Sequence, residues 1–276
     1  MNEIRKDDRL AGKVAIVTGA GSRADGIGNG RAAAILLARS GAKVLLIDTM
    51  TEWVERTRSM IEAEGGESRV AMADVTRAFD CERAVRAAQD AWGRLDVLVN
   101  NVGIGGPPGT AVEVDLEAWE TGLRVNVTSM MLMAKFAIPA MRAGGGGSIV
   151  NIASVAGMMG GHPHLLYPTT KGAVINMTRA MAAQHGEEGI RVNCIAPGMV
   201  YTPMVYSRGM SEEVRETRRK RSMLKTEGTG WDVGNAVVYL ASDAARWVTG
   251  IVLPVDAGAT AGPAALSPRF DPVPKA

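Results

Sequence analysis

Two cysteines and three histidines in 276 residues, a formal charge of only +2 and no long apolar run are this chain's clearest shortages. Each removes a class of protein. Cys81, in a charged helical stretch, and Cys194, in an apolar strand-like one, cannot build a disulfide framework, so reduced thiols and a cytoplasmic location are expected. The small net charge offers no excess to attract nucleic acid or an acidic membrane face. One basic cluster, 215–221, reads as the solvated face of a helix, with phosphate binding as its alternative. The first nine residues are charged and lack an apolar h-region, and no run spans a bilayer, so a soluble protein without a membrane partner is expected. Zinc is not expected either, because His162 and His164 have no third ligand at suitable spacing. No internal repeat is visible.

What the chain does have is 46% hydrophobic residues, and much of that is gathered in short strand-like runs separated by helical patterns. The runs are 14–17, 44–48, 69–72, 97–100, 149–153, 191–196 and 251–256. Such alternation predicts one Rossmann-like, doubly wound α/β domain: a seven-stranded, mainly parallel sheet with helices on both faces. Pro254 cannot donate to a ladder, which puts the last strand at an edge. Residues 12–258 form the domain, 1–11 an N-terminal extension and 259–276 a Pro-rich extended tail, while 202–230 is expected to be a mobile substrate loop with one short helix. Ligands of such sheets bind at the C-terminal ends of the strands. Here those ends carry Thr18-Gly19, Asp48, Asp74, Asn100-Asn101, Ser154 and Pro197-Gly198.

The stretch from Val14 to Asp48 reads as strand, glycine-rich turn, helix, strand and terminal carboxylate. Glycines admit a pyrophosphate close to the backbone, the helix N-terminus offers it unpaired N–H groups, and the carboxylate accepts from the adenosine ribose. This is the pattern of a dinucleotide site.

Tyr167 and Lys171 lie four apart where a helical pattern begins, so both project from one face. Pro168 is tolerated only in a first turn, which places Tyr167 at the helix N-terminus. A lysine cation beside a phenol there is expected to lower the phenol's pKa and fit it for acid/base work on an alcohol or carbonyl. Ser154 ends a strand where its hydroxyl can hold the substrate oxygen, and Asn126 is a polar residue between Val125 and Val127 inside the helical pattern 119–141.

At this point the chain resembles the classical short-chain dehydrogenase/reductase family, from about Gly12 to Gly258. The family's T-G-x(3)-G-x-G loop is similar to Thr18 through Gly30, its D-V pair to Asp74-Val75, and its N-N-A-G to Asn100-Asn101-Val102-Gly103. Its Y-x(3)-K motif matches Tyr167 and Lys171, thirteen positions after Ser154. Its P-G-x(3)-T matches Pro197 through Thr202, and its final V-D-G-G matches Val255-Asp256-Ala257-Gly258. The resemblance implies that Tyr167 is the catalytic acid/base and that Ser154 positions the substrate oxygen. Lys171 would tune the tyrosine and hold the nicotinamide ribose, and Asn126 would anchor a water in a proton relay. It implies a nicotinamide dinucleotide held by Gly19, Ile27, Gly28 and Asp48, by Asp74, Val75, Asn101 and Gly103, and by Tyr167, Lys171, Val200 and Thr202. It also implies a homotetramer or homodimer.

The departure is in the phosphate loop, where six residues instead of three separate Gly19 from Gly26, and eight separate it from Gly28. Gly28 stands twenty positions before Asp48, the family's usual interval, so Ser22 through Ile27 reads as a lengthened loop. Arg23, on that loop, either reaches the adenosine or pyrophosphate or faces water. Asp48 should accept from the 2′-hydroxyl of NAD and repel the 2′-phosphate of NADP, with no cation at Thr49 or Met50 to offset it. NAD is therefore expected, with Arg23 the residue able to reverse the preference. Met158, Met159, Leu165, Met199 and Met204 suit an irregular apolar ligand, or serve as core. The expected reaction is interconversion of a cyclic or otherwise apolar secondary alcohol with its ketone; NADP-dependent carbonyl reduction and a non-catalytic dinucleotide-binding protein are the alternatives.

Overall fold

The structure, a computed structural model, describes residues 8–262 except 24 and 208. The Pro-rich tail and most of the N-terminal extension lie outside the described residues. Leu10, expected in that extension, is buried, and its amide donates to the Ser40 carbonyl (2.8 Å).

Seven strands form one parallel sheet in the order β3-β2-β1-β4-β5-β6-β7. They are β1 (Val14–Thr18), β2 (Lys43–Asp48), β3 (Ser68–Met72), β4 (Val97–Asn100), β5 (Gly147–Ile152), β6 (Ile190–Pro197) and β7 (Val252–Val255). All seven expected runs are strands, and β7, with Pro254, pairs only with β6 at the sheet edge. Nine α-helices are described: α1 (Asn29–Arg39), α2 (Thr51–Ala63), α3 (Ala78–Trp92), α4 (Leu116–Leu123), α5 (Ser129–Ala143), α6 (Leu166–His185), α7 (Pro203–Tyr206), α8 (Glu212–Lys220) and α9 (Gly230–Ala241).

The period-two geometry of strands sorts the core into two layers. Ala15, Val17, Val44, Leu46, Val97, Val99, Val150 and Ile152 face the layer that holds α1 and α9. Their neighbours Val14, Ile16, Leu45, Ile47, Leu98 and Ile149 face the layer that holds α3 and α5. Strands buried on both faces explain why the runs are continuously apolar rather than alternating. Helices α1 and α9 approach closely at Gly234, where a Cβ would lie 2.8 Å from a Leu36 methyl and 3.1 Å from the Ala32 backbone.

Strand order reverses direction of winding between β1 and β4, and this opens a crevice above their C-terminal ends. Every strand-end residue expected at a site therefore lies along one edge. Among the described residues no helix is long and apolar enough to cross a membrane.

Candidate active site

The crevice begins at the end of β1, where Gly19 turns at φ +62°, a left-handed conformation that side chains resist. A Cβ on Gly30 would collide with the Gly19 carbonyl, so only glycine lets α1 start this close to the turn. Asn101, past the end of β4, donates from its side-chain amide to the carbonyls of Thr18 (3.2 Å) and Gly19 (3.0 Å) and fixes the turn to the neighbouring strand. Helix α1 has no side-chain cap at Gly28. Ser22 Oγ, beside Gly28, is buried without a hydrogen-bond partner among the described residues. Uncapped amides with an adjoining orphan hydroxyl are what a phosphate oxygen requires, and the site fits a dinucleotide.

The lengthened loop is held by a residue that sequence reasoning missed. Arg31, in the first turn of α1, is fully buried. It donates to the carbonyl of Gly26 (2.7 Å), the hydroxyl of Thr57 (3.0 Å) and the carbonyl of Trp53 (3.1 Å), joining the loop to α2. A guanidinium with its donors in a fixed fork suits three acceptors on two segments, the loop and α2. Its only sequence signal is an arginine directly before the apolar run 32–38. Ile27 lies beneath the N-terminus of α9, where a Cβ on Gly230 would meet its carbonyl at 2.8 Å. Arg23 is exposed, 6.0 Å from the centre of the Trp53 ring.

Asp48 ends β2 with its carboxylate already at work, accepting from the amides of Gly21 (2.9 Å), Thr49 (2.8 Å) and Met50 (3.1 Å). A carboxylate has about four acceptor positions, so capacity remains for a ribose hydroxyl. Asp74 accepts from the amide and hydroxyl of Thr76 (3.0 and 2.7 Å), and Val75 is buried beside it, its carbonyl accepting from Cys81 Sγ (3.2 Å).

The second half of the site is built by β5 and α6. Ser154 follows β5, its Oγ accepting from the Ala156 amide (3.2 Å). Tyr167 is the second residue of α6, and its phenol is close enough to Ser154 for that hydroxyl to favour the phenolate. Lys171 is buried one turn on, donates to the Ile152 carbonyl (3.0 Å), and lies 5.7 Å from the centre of the Tyr167 ring. Gly103 borders them, since a Cβ there would stand 3.1 Å from Lys171 Nζ and 3.4 Å from Asn126 Oδ1. Asn126 sits in a π-turn, Arg124–Thr128, between α4 and α5. Such bulges re-aim a side chain within a helix. Here the amide brackets Ile104, accepting from its N–H (2.7 Å) and donating to its carbonyl (2.9 Å), and donates to the Thr170 hydroxyl (3.0 Å).

Two glycine contacts set the position of α6. Leu166 fills a slot where a Cβ on Gly106 or Gly122 would collide with its methyl. Gly157 presses the turn after Ser154 directly onto the Lys171-Gly172 backbone. Neither contact was visible in the sequence, because each joins residues distant along the chain.

The electrostatics correct one expectation. The Tyr167 pKa is raised, not lowered: burial outweighs the Ser154 hydrogen bond that favours the phenolate. Lys171 suffers the same desolvation and is pushed down to about 8, so its cation is weakened where its help was expected.

The substrate loop also differs from expectation. It contains two helices, α7 and α8, and the basic cluster is not simply a solvated face. Arg215 lies 4.1 Å from the centre of the Tyr201 ring and pairs with Glu227, while Arg218 donates to the Val200 carbonyl (3.2 Å). Thr202 is buried and its carbonyl accepts from the Val205 amide (2.8 Å) at the start of α7.

A family model described as enoyl-(acyl carrier protein) reductase matches residues 22–260. The 2-(S)-hydroxypropyl-CoM dehydrogenase 3 of Xanthobacter autotrophicus is 39% identical over 92% of this chain and 99% of its own. The chain belongs to the classical short-chain dehydrogenase/reductase family. Another relative, the 2,5-dichloro-2,5-cyclohexadiene-1,4-diol dehydrogenase of Sphingobium indicum, is 37% identical over 92% of this chain and 99% of its own. A crystal structure described as that of a short-chain dehydrogenase/reductase from Burkholderia xenovorans superposes with a TM-score of 0.89 at 39% identity, covering 92% of this chain and 99% of that one. The protein is thus an oxidoreductase of CH–OH groups that uses a nicotinamide dinucleotide.

Proposed function

We propose that this dehydrogenase uses NAD to interconvert a secondary alcohol, cyclic or otherwise apolar, and its ketone, with Tyr167 as acid/base. The observation that carries the reading is the convergence of Ser154, Tyr167 and Lys171 at the crevice, with Ser154 acting on the Tyr167 phenol and Lys171 5.7 Å from its ring. When bound, the dinucleotide supplies the hydride acceptor for oxidation and the donor for reduction. Ser154 holds the substrate oxygen beside the phenol. In oxidation Tyr167 takes the O–H proton as the carbinol carbon gives up hydride; in reduction it returns that proton to the oxygen. Lys171 orients the phenol and holds the nicotinamide ribose, and Asn126 positions the segment at Ile104 that borders it. Asn126 is also the residue from which a water-borne proton relay would start. Exposed Met158, Met159, Leu165 and Met204 suit an apolar substrate.

Gly19, Ser22, Ile27, Gly28, Asn101 and Gly103 would line the dinucleotide, with Asp74 and Val75 at its adenine end and Val200 and Thr202 at its nicotinamide end. Asp48 favours NAD through the ribose hydroxyl. Exposed Trp247, Tyr239 and Ile251, near the β7 edge, suit a face that associates with a second copy in a dimer or tetramer. The buried, unpaired thiols of Cys81 and Cys194 suit the cytoplasm.

Nicotinamide absorbance with a panel of secondary alcohols tests the reaction, and no turnover with any of them would refute it. Dissociation constants for NAD and NADP test the cofactor choice; a preference for NADP would overturn it and point to Arg23.

A further inference from the structure

Between Ser154 and Tyr167 the chain crosses the mouth of the crevice, and His162 lies there against the proposed acid/base. Its ring centre is 5.3 Å from that of Tyr167, with the planes tilted by 32°. The ring is exposed, with one edge tied to the backbone. Its Nδ1 faces the backbone of His164, 2.9 Å from the carbonyl oxygen and 3.2 Å from the amide nitrogen. His164 is itself anchored, since its Nδ1 accepts from the Gly109 amide (3.3 Å), and its ring stands edge-on to His162 at 5.9 Å.

This strut fixes one nitrogen of His162 and leaves Nε2 with no hydrogen-bond partner among the described residues. The ring contact keeps Nε2 within the length of a small molecule of the phenol oxygen. Nearby Met158 and Met159 are exposed and apolar, so Nε2 is a polar spot in an otherwise greasy wall. Its chemistry is two-sided. With the proton on Nδ1, donating to the His164 carbonyl, Nε2 accepts from a hydroxyl; with the proton on Nε2, it donates to a carbonyl.

We propose that His162 is a specificity-determining residue that recognises a second oxygen on the substrate, so that the preferred substrates are diols and their hydroxyketone products rather than simple alcohols. This rests on the alcohol-dehydrogenase reading above and narrows it. His162 is exposed at the crevice mouth, so a substrate with the second oxygen gains a hydrogen bond to this nitrogen that one lacking it cannot make.

The test compares kcat/KM for cyclohexane-1,2-diol with that for cyclohexanol, using the full chain and NAD, in wild type, His162→Phe and His162→Asn. Phenylalanine keeps a ring on Tyr167 and removes both nitrogens; asparagine restores a polar end. The wild type is expected to favour the diol by about tenfold or more. His162→Phe should abolish most of that ratio, chiefly through the diol KM, and His162→Asn should recover part of it. Equal losses on both substrates would make His162 mere packing for Tyr167 and overturn the proposal, as would a wild type without diol preference. Absence of turnover with either substrate and the wider panel would overturn the parent reading and this one together; turnover without the ratio change overturns this one alone.

Discussion

Gly157→Ala places a single methyl group where the structure has no room for it. The added Cβ would lie 2.5 Å from the Lys171 carbonyl carbon, 2.6 Å from the Gly172 nitrogen and 2.8 Å from the Lys171 oxygen. These are backbone atoms of α6, unable to swing aside as a side-chain tip would. Ordinary contact begins at 3.4 Å, so the turn and the helix must part by about 0.9 Å. The turn carries Ser154, whose carbonyl accepts from the Gly157 amide (3.0 Å), and the helix carries Tyr167 and Lys171. A misplacement of about 1 Å in a reacting constellation costs on the order of a hundredfold in rate. Steady-state kinetics should therefore show kcat reduced about a hundredfold, with a much smaller loss of NAD affinity, since Lys171 shifts but the pyrophosphate turn at Gly19 and Gly28 lies on other elements. Circular dichroism and thermal melting separate this from unfolding. Gly160→Ala is the control: among the described residues nothing lies within 4 Å of its added Cβ, and its rate should stay near wild type. A folded Gly157→Ala protein with near wild-type kcat would refute the reasoning.

Four further outcomes follow from the same geometry. Tyr167→Phe should lower kcat by about a hundredfold or more while NAD still binds, measured by nicotinamide absorbance and fluorescence titration. Asp48→Ala should raise NADP affinity relative to NAD, because a like-charge repulsion and a ribose acceptor go together; unchanged relative affinities would remove Asp48 from cofactor choice. The folded pKa of Lys171, about 8, lies below the unfolded value of 10.5, so the unfolded chain holds more protons between them. Its charged form therefore opposes folding below pH 8, and the cost fades as pH rises towards 10.5. Lys171→Met should accordingly gain melting temperature at pH 7 and gain less at pH 10 without cofactor; an equal gain at both would exclude the titration as its cause. Ala257 occupies φ +52°, where the family motif has glycine, so Ala257→Gly should stabilise the protein by about 0.5–1 kcal/mol in chemical denaturation.

All seven strands could be read in the sequence: the five inner ones because a strand buried on both faces leaves an unbroken apolar run, the partly buried edge strands β3 and β7 from apolar runs of their own, with Pro254 marking the β7 edge. Tyr167, Lys171 and the Gly19-to-Asp48 spacing were equally visible, since a helical turn and a strand–turn–helix unit are local geometry. The rest depended on which distant segments meet. Arg31 gives no local sign that it ties Gly26 to Thr57 and Trp53, and the Gly157 contact with α6 exists only because β5 and α6 pack together. The substrate loop read as mobile because its basic residues look solvated in one dimension, although Arg215 and Arg218 find Tyr201, Glu227 and Val200 in three. The sign of the Tyr167 shift belongs to the same class. A sequence shows that lysine lies one turn away, but desolvation is set by everything packed around both groups, and only the tertiary structure decides that burial raises the phenol despite Ser154 and weakens the Lys171 cation as well.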